Sequence, residues 1–203
     1  MVNLMIYAGE ADPRSPSLRT GGLPLVPDGF TWPKCRECAG AMRFLAHLPL
    51  EAGVVAVFMC QNDPGMCDDW NATAGANRAY LFDTEPLALT PASPPPDSET
   101  LLGAVTAISP RQLDTPDYGK AIGTFTATTG GSGQEILGQL GGVPLWIQND
   151  ETPHCPACAT PMNFAAQLEE GYDHKTSANF GGGGAGYVFT CAPCHEAAFL
   201  WQC

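Results

Sequence analysis

Short apolar runs bounded by glycine, proline or aspartate recur along this 203-residue chain, a pattern that predicts strands rather than long helices. Residues 3–7 read as a first short strand, and 8–20 are polar and punctuated by proline. Residues 42–48 and 54–59 have the apolar, β-branched content of paired strands, with turn-forming residues 49–53 between them. Trp70 and residues 78–82 supply a further strand on the same sheet. Residues 101–108 and 121–126 also read as strands, and 134–140 as a brief helical or extended segment. The C-terminal part offers 143–147, 162–168, 186–190 and 197–202, with Trp146 and Trp201 expected to anchor its core. No run approaches the roughly 18 apolar residues needed to cross a membrane.

Much of this pattern occurs twice. Gly21-Gly22-Leu23-Pro24-Leu25 leads to Cys35 and Cys38, then to Met42, Phe44 and Leu48. Gly141-Gly142-Val143-Pro144-Leu145 leads to Cys155 and Cys158, then to Met162, Phe164 and Leu168, each pair 120 positions apart (155 − 35 = 120). Val57-Phe58-Met59-Cys60 resembles Val188-Phe189-Thr190-Cys191 at a spacing of 131, so the second copy carries eleven extra residues (131 − 120 = 11) around the glycine-rich stretch 180–186. The chain is a duplicated unit: a first β-rich copy over 1–85, a proline-rich linker over 86–100, and a second copy over 101–203. Its length suits one large domain or two of about 100 residues.

Nine cysteines divide as four, four and one. Cys35, Cys38, Cys60 and Cys67 form the first set, and Cys155, Cys158, Cys191 and Cys194 the second. A Cys-x-x-Cys pair sets two thiolates around one ion from a single tight turn, and a second pair completes a tetrahedral zinc site. The second set, CxxC followed by CxxC, carries the stronger signal, because six residues separate Cys60 from Cys67. Disulfides would require an oxidising compartment, and residues 1–7 lack the basic and apolar regions of a secretory signal. Four thiolates leave no open coordination position, so the expected role is structural, with one or two ions per chain. His154 and His195, beside the second set, are expected to be bystanders; His47 aligns with Gln167 and is no repeated ligand. His174 falls in a polar loop, and Cys203 is left over with no positive environment to activate it.

Glycine (23) and proline (19) together exceed a fifth of the residues, which favours turns and short strands. The net charge of −12, with Lys175 the one basic residue beyond Lys120, argues against nucleic acid, whose readers need a basic face. A charged partner, if there is one, would be basic. The prolines of 86–100 exclude a regular element. Gly181–Gly184 and Gly186 lack the GK[ST] ending of a phosphate loop, so a connection into a strand, with close backbone approach, is the better reading. Neither GxSxG nor HExxH is present. An enzyme acting in a cleft between the copies would need His47, Asp63, Asp68 or Asp69 to converge in one pocket.

Arg19-Thr-Gly-Gly-Leu-Pro24, Gly29-Phe-Thr-Trp-Pro33, Met42-Arg-Phe-Leu-Ala46, residues 140–148, Asn179-Phe-Gly181, Gly186-Tyr-Val-Phe189 and Phe199-Leu-Trp-Gln202 resemble the YwqG-like family of uncharacterised bacterial proteins. The Gly-Gly-x-Pro, CxxC, Met-x-Phe and Val-Phe-x-Cys series also resembles the programmed cell death protein two family, whose relatives are implicated as chaperones of a ribosomal protein. The resemblance implies a mainly β, pseudo-duplicated body with zinc-stabilised ends. It depends on motifs spread over both halves. Ala46-His47 departs from the Leu-Gln or Ala-Gln pair frequent in the family, which Ala166-Gln167 keeps. The expectation is a cytoplasmic, non-catalytic protein-binding module, an escort for a basic client or a toxin-immunity factor.

Overall fold

The computed structural model describes residues 1–83, 89–96, 105–171 and 178–203. Ten strands close into one barrel: β1 (Val2–Glu10), β2 (Arg19–Thr20), β4 (Arg43–Leu50), β5 (Gly53–Met59), β6 (Asn77–Phe82), β8 (Thr106–Leu113), β9 (Ile136–Leu140), β10 (Asn163–Glu169), β11 (Ala185–Cys191) and β12 (Glu196–Gln202). Two further strands, β3 (Leu25–Val26) and β7 (Thr90–Pro91), form a separate ribbon. The protein is mainly β, with one α-helix among the described residues, α1 (Tyr118–Thr129).

Around the barrel the order is β1-β8-β2-β4-β5-β6-β12-β11-β10-β9, with β9 pairing back to β1. This order is the duplication made visible. The run β2-β4-β5-β6 of the first copy matches β9-β10-β11-β12 of the second, and the two runs meet at the β6–β12 ladder. At the other junction the leading strands are exchanged. β1 of the first copy pairs with β9 of the second, β8 of the second pairs with β2 of the first, and β1 and β8 pair with each other. Neither run therefore has a free sheet edge, the feature that otherwise invites aggregation. The boundaries expected near 85, 86, 100 and 101 lie outside the described residues; β7 falls within the expected linker.

Corresponding residues repeat the local detail. The β4–β5 ladder shifts register between Phe44 and Ala46, and the β10–β11 ladder between Phe164 and Ala166. The residue in each bulge offers its carbonyl to the double-glycine turn: Gly21 N–H donates to Leu45 O at 2.7 Å, and Gly141 N–H to Ala165 O at 2.9 Å. Both glycines of each turn have positive φ, a conformation that side chains resist.

Strand alternation divides the apolar residues between the barrel interior and its outer layers. Met5, Leu45, Val55, Val57, Leu137 and Val188 meet in the cluster that fills the barrel. On the opposite face of β5, Ala56 and Phe58 join Met42, Phe44 and the first cysteine set. Tyr187 and Phe189 of β11 do the same with Met162 and the second set. A fourth cluster seats Tyr118, Ala121 and Phe125 of α1 on Val2 and Leu4 of β1.

Four expectations need correction. The prolines of 86–100 do not exclude a regular element, because Thr90 and Pro91 form β7 at the edge of a two-stranded ribbon, where a missing N–H is tolerated. Residues 121–126 are helical, not extended. Asp117 caps α1 by accepting from Lys120 N–H at 3.0 Å, Gly130 ends it in the left-handed conformation, and the threonine hydroxyls of 126, 128 and 129 bond carbonyls one turn back, so the β-branched content is accommodated. Residues 143–147 join no strand: Gln167, Tyr187 and Gln202 side chains hold their backbone where a ladder was expected. Trp70 lies in a turn before β6, where its carbonyl accepts from Trp201 N–H at 3.2 Å. The undecided segment 134–140 resolves into a short 3-10 turn followed by β9. Of the segment expected as a strand over 101–108, residues 101–104 and the polar loop around His174 lie outside the described residues.

Candidate metal centres

Each cysteine set gathers at the end of a hairpin. Cys35 and Cys38 sit on a tight turn, and Cys60 follows the last residue of β5 directly; Cys155 and Cys158 occupy the matching turn, with Cys191 ending β11. The turns are built alike. Cys35 N–H donates to Gly40 O at 2.9 Å and Ala39 N–H to Cys35 O at 3.0 Å; the second copy repeats this from Cys155 to Thr160 O and from Ala159 to Cys155 O, both at 2.8 Å. Ala39 and Ala159 both have φ of +59°, an uncommon conformation for alanine that is followed by an amide, of Gly40 or Thr160, bonded to the second sulfur of the pair.

Within each set the four sulfurs lie within 4.8 Å of one another. Cys38 and Cys60 Sγ are 3.6 Å apart and Cys158 and Cys191 Sγ 3.8 Å, close to the edge of about 3.8 Å for a tetrahedron with metal–sulfur distances of about 2.3 Å. These separations far exceed a disulfide bond of about 2.05 Å, and all nine cysteines are free thiols. The donor set thus fits a tetrahedral metal ion. Among the described residues, these two sets are the places where three or more His, Cys, Asp or Glu side chains come close enough to hold a metal. All eight expected ligands are brought together in the expected sets.

The electrostatics of the sets call for a cation. Burial works against ionisation of Cys38, but the Gly40 amide, Cys60, Cys35 and Asn62 outweigh it and bring the thiol down to about 7. Thr160, through its hydroxyl and amide, lowers Cys158 to about 6. Burial, reinforced by neighbouring sulfurs, lifts Cys60 to about 11 and pushes Cys67 up further. Cys194 rises to about 12, chiefly through Cys158 and Cys191. One thiolate forms readily in each group while its neighbours resist, so four thiolates together need a positive ion among them. Asn62 Nδ2 supports the first set by donating to Cys60 Sγ at 3.3 Å and Cys38 Sγ at 3.5 Å, while also reaching Ala41 O.

The three described histidines stand apart from both sets. His154 is exposed in a bridge to Pro161, and His195 Nδ1 is 3.2 Å from Asp83 Oδ1, across the junction of the copies. His47 is buried on β4, opposite Arg19 of β2, with Nδ1 on Ser17 O at 3.1 Å and Nε2 unpartnered. Burial and then the charge of Arg19 bring its pKa down to about 4. Arg19, itself fully buried, donates to Ser15, Gly21 and Leu23 carbonyls. Gln139 and Gln167 hold the matching places in the second copy, and Gln139 donates to Val143 O, the counterpart of Leu23 O. Sequence reasoning did not single out Arg19, Gln139 or Glu169; their common offset of 120 from the other copy was the available signal for the first two.

Of the four residues a cleft enzyme would need, Asp63 and Asp68 are exposed, and Asp69 is buried with burial raising it to about 6. None of the four lines either of two surface grooves. One groove, about 280 Å³, flanks the β3–β7 ribbon. The other is about 430 Å³, and its described lining residues all fall within 118–185, in the second copy. Its polar wall is Gln167, Glu169 and Glu170, and its apolar wall includes Ile122, Leu145 and Ile147. Tyr118 donates to Glu169 Oε1 at 2.9 Å, and burial raises that carboxyl. The Glu170 carboxylate accepts from the amides of Phe180, Gly182 and Gly183 at 2.7–3.0 Å, so the glycine-rich loop wraps the chain's own anion. The expected close backbone approach is present, since a Cβ on Gly184 would overlap the carbonyls of Phe180 and Gln202.

No protein-family model matches the chain. A stretch of 65 residues, 32% of the chain, is 40% identical to uncharacterised protein YpfL of Salmonella typhimurium. The chain spans only 14% of that protein's length, so the likeness is to one part of it.

Proposed function

We propose that this protein is a non-catalytic module that binds another protein, with one zinc ion in each cysteine set. The observation that carries this reading is the completeness of both sets: four sulfurs fill a tetrahedral shell and leave no position for a substrate or reacting water. Zinc suits an all-thiolate tetrahedron, and each site of this type supplies about 10–16 kcal/mol of apparent binding free energy in small zinc modules. The partner is basic, matching the net charge of −12 and the carboxyl groups of the larger groove. Membership of the YwqG-like family, a cytoplasmic location, and a role as escort or immunity factor belong to the same proposal. Among the described residues no helix is long and apolar enough to cross a membrane. A competing reading, a small cationic molecule held in the groove, draws support from the two carboxyl groups, of Glu169 and Glu170, in its lining.

The test is recovery of partners on tagged protein at native levels, against a variant lacking Cys155 and Cys158. One small basic protein, near-stoichiometric and lost with the metal site, supports the reading. Metal-loaded, folded protein that retains nothing refutes it.

A further inference from the structure

The two copies differ at one place where the duplication requires a comparison. In the first copy the segment after the double glycine is covered: Leu25 and Val26 form β3 against Thr90 and Pro91 of β7, and Ala92 N–H donates to Pro24 O at 2.9 Å. Leu25 is accordingly only 7% exposed. Leu145, the counterpart of Leu25, is 49% exposed, and Val143 and Ile147 on either side are 55% and 46% exposed, while Trp146, the counterpart of Val26, is half-buried.

The backbone there is already held in an extended form on its inner side. Leu145 N–H donates to Gln167 Oε1 at 3.0 Å, Leu145 O accepts from the Tyr187 hydroxyl at 2.8 Å, and Ile147 N–H reaches Gln202 Oε1 at 3.1 Å. Groups of alternate residues in an extended chain face the opposite way. Pro144 O and the N–H and C=O of Trp146, counterparts of the groups at 24 and 26, have no hydrogen-bond partner among the described residues. Trp146 itself is fixed, its ring packed on Tyr187 and Phe189. The result is an edge that is unpaired among the described residues, with apolar side chains exposed, beside a groove whose described lining contains two carboxyl groups and no cation.

Building on the protein-binding reading, we propose that an extended peptide segment of the partner adds antiparallel along Pro144–Ile147, as β7 does along β3, and sends a lysine or arginine into the groove toward Glu169. Addition of a strand to an exposed edge takes affinity from main-chain hydrogen bonds and specificity from alternate side chains. The residue opposite Leu145 takes the place Pro91 has opposite Leu25 and donates no main-chain bond there, so proline or a small residue fits. The next residue donates its N–H to Pro144 O, as Ala92 does to Pro24 O.

The probe is a synthetic peptide with the sequence of residues 89–94, made with lysine at either end and without it, titrated into metal-loaded, 15N-labelled protein. Amide shifts should saturate at millimolar peptide and centre on Trp146, and hydrogen exchange of its N–H should slow. Lysine at one end should tighten binding about tenfold. Leu145→Asp with Ile147→Asp changes two exposed side chains and should weaken every peptide about tenfold or more, whereas Glu169→Gln should remove only the gain from lysine. Scattered or absent shifts, equal binding by the double variant, equal binding of butylamine alone, or self-association that covers the strip would each overturn the proposal. A client retained equally by wild type and the double variant would reject this surface yet leave the protein-binding function standing. A wild type that retains no client rejects the function, while the titration still judges the surface.

Discussion

Replacing His47 by glutamine, the residue the second copy carries at the matching position, should make the protein less sensitive to mild acid. Folded, His47 titrates at about 4, against about 6.5 for an exposed histidine. A base whose folded pKa is depressed contributes stability that is complete above the unfolded value and lost as pH falls toward the folded one. For these two values the loss is slight at pH 7, about 2 kcal/mol at pH 5, and about 3 kcal/mol below pH 4. The physical origin is the enclosure of the imidazole on β4 with Arg19 as its cross-strand neighbour, so a second positive charge is desolvated and placed beside a like charge. Denaturant unfolding at pH 7 and pH 5 with zinc in excess measures it. The proposed zinc sites would also weaken in acid, but equally in both proteins, so the difference between His47→Gln and wild type isolates the histidine. That difference should move by about 2 kcal/mol in favour of the variant at the lower pH. An unchanged difference would refute the burial argument.

Asp69 runs the other way: its folded pKa, raised to about 6, gives a contribution present at low pH and lost as pH rises through 6. Asp69→Asn should therefore gain stability at pH 7 relative to pH 5, by about 1 kcal/mol on the same unfolding curves. Gly138→Ala should destabilise by about 3 kcal/mol or more, because φ is +136° and the new Cβ would overlap the Gln167 carbonyl and crowd the Met5 methyl at 2.6 Å. Gly133→Ala, with open space around it and no positive φ, should stay within about 0.5 kcal/mol of wild type, and equal melting of the two would contradict the packing described for β9 and β10.

The features legible in the sequence are those set by local spacing. The 120-residue repeat and the cysteine spacings located both candidate metal centres, and short apolar, β-branched runs located β4, β5 and β10–β12, because strand content and thiolate turns depend on neighbours within a few residues. The barrel itself was not legible. Its closure depends on ladders such as Val2 with Leu113, which join residues over a hundred positions apart and leave no periodic trace. Helix α1 was misread because Ile122, Thr124, Phe125 and Thr126 favour strands, whereas Asp117 and Gly130 supplied the capping signals that a propensity count overlooks. The 143–147 segment was misread in a subtler way: it is extended, but glutamine and tyrosine side chains take the place of a neighbouring strand. Buried Arg19 illustrates the same limit, since only the fold reveals that it holds the carbonyls of the Gly21–Leu23 turn.

Metal content combined with X-ray absorption at the zinc edge, on protein purified without added metal, addresses the two tetrahedral centres most directly. The proposed function predicts two zinc ions per chain, each with four sulfur neighbours at about 2.3 Å, falling to one when Cys155 and Cys158 are replaced by serine. Protein that is folded yet free of zinc and iron, or whose metal has nitrogen or oxygen neighbours in place of sulfur, would contradict it.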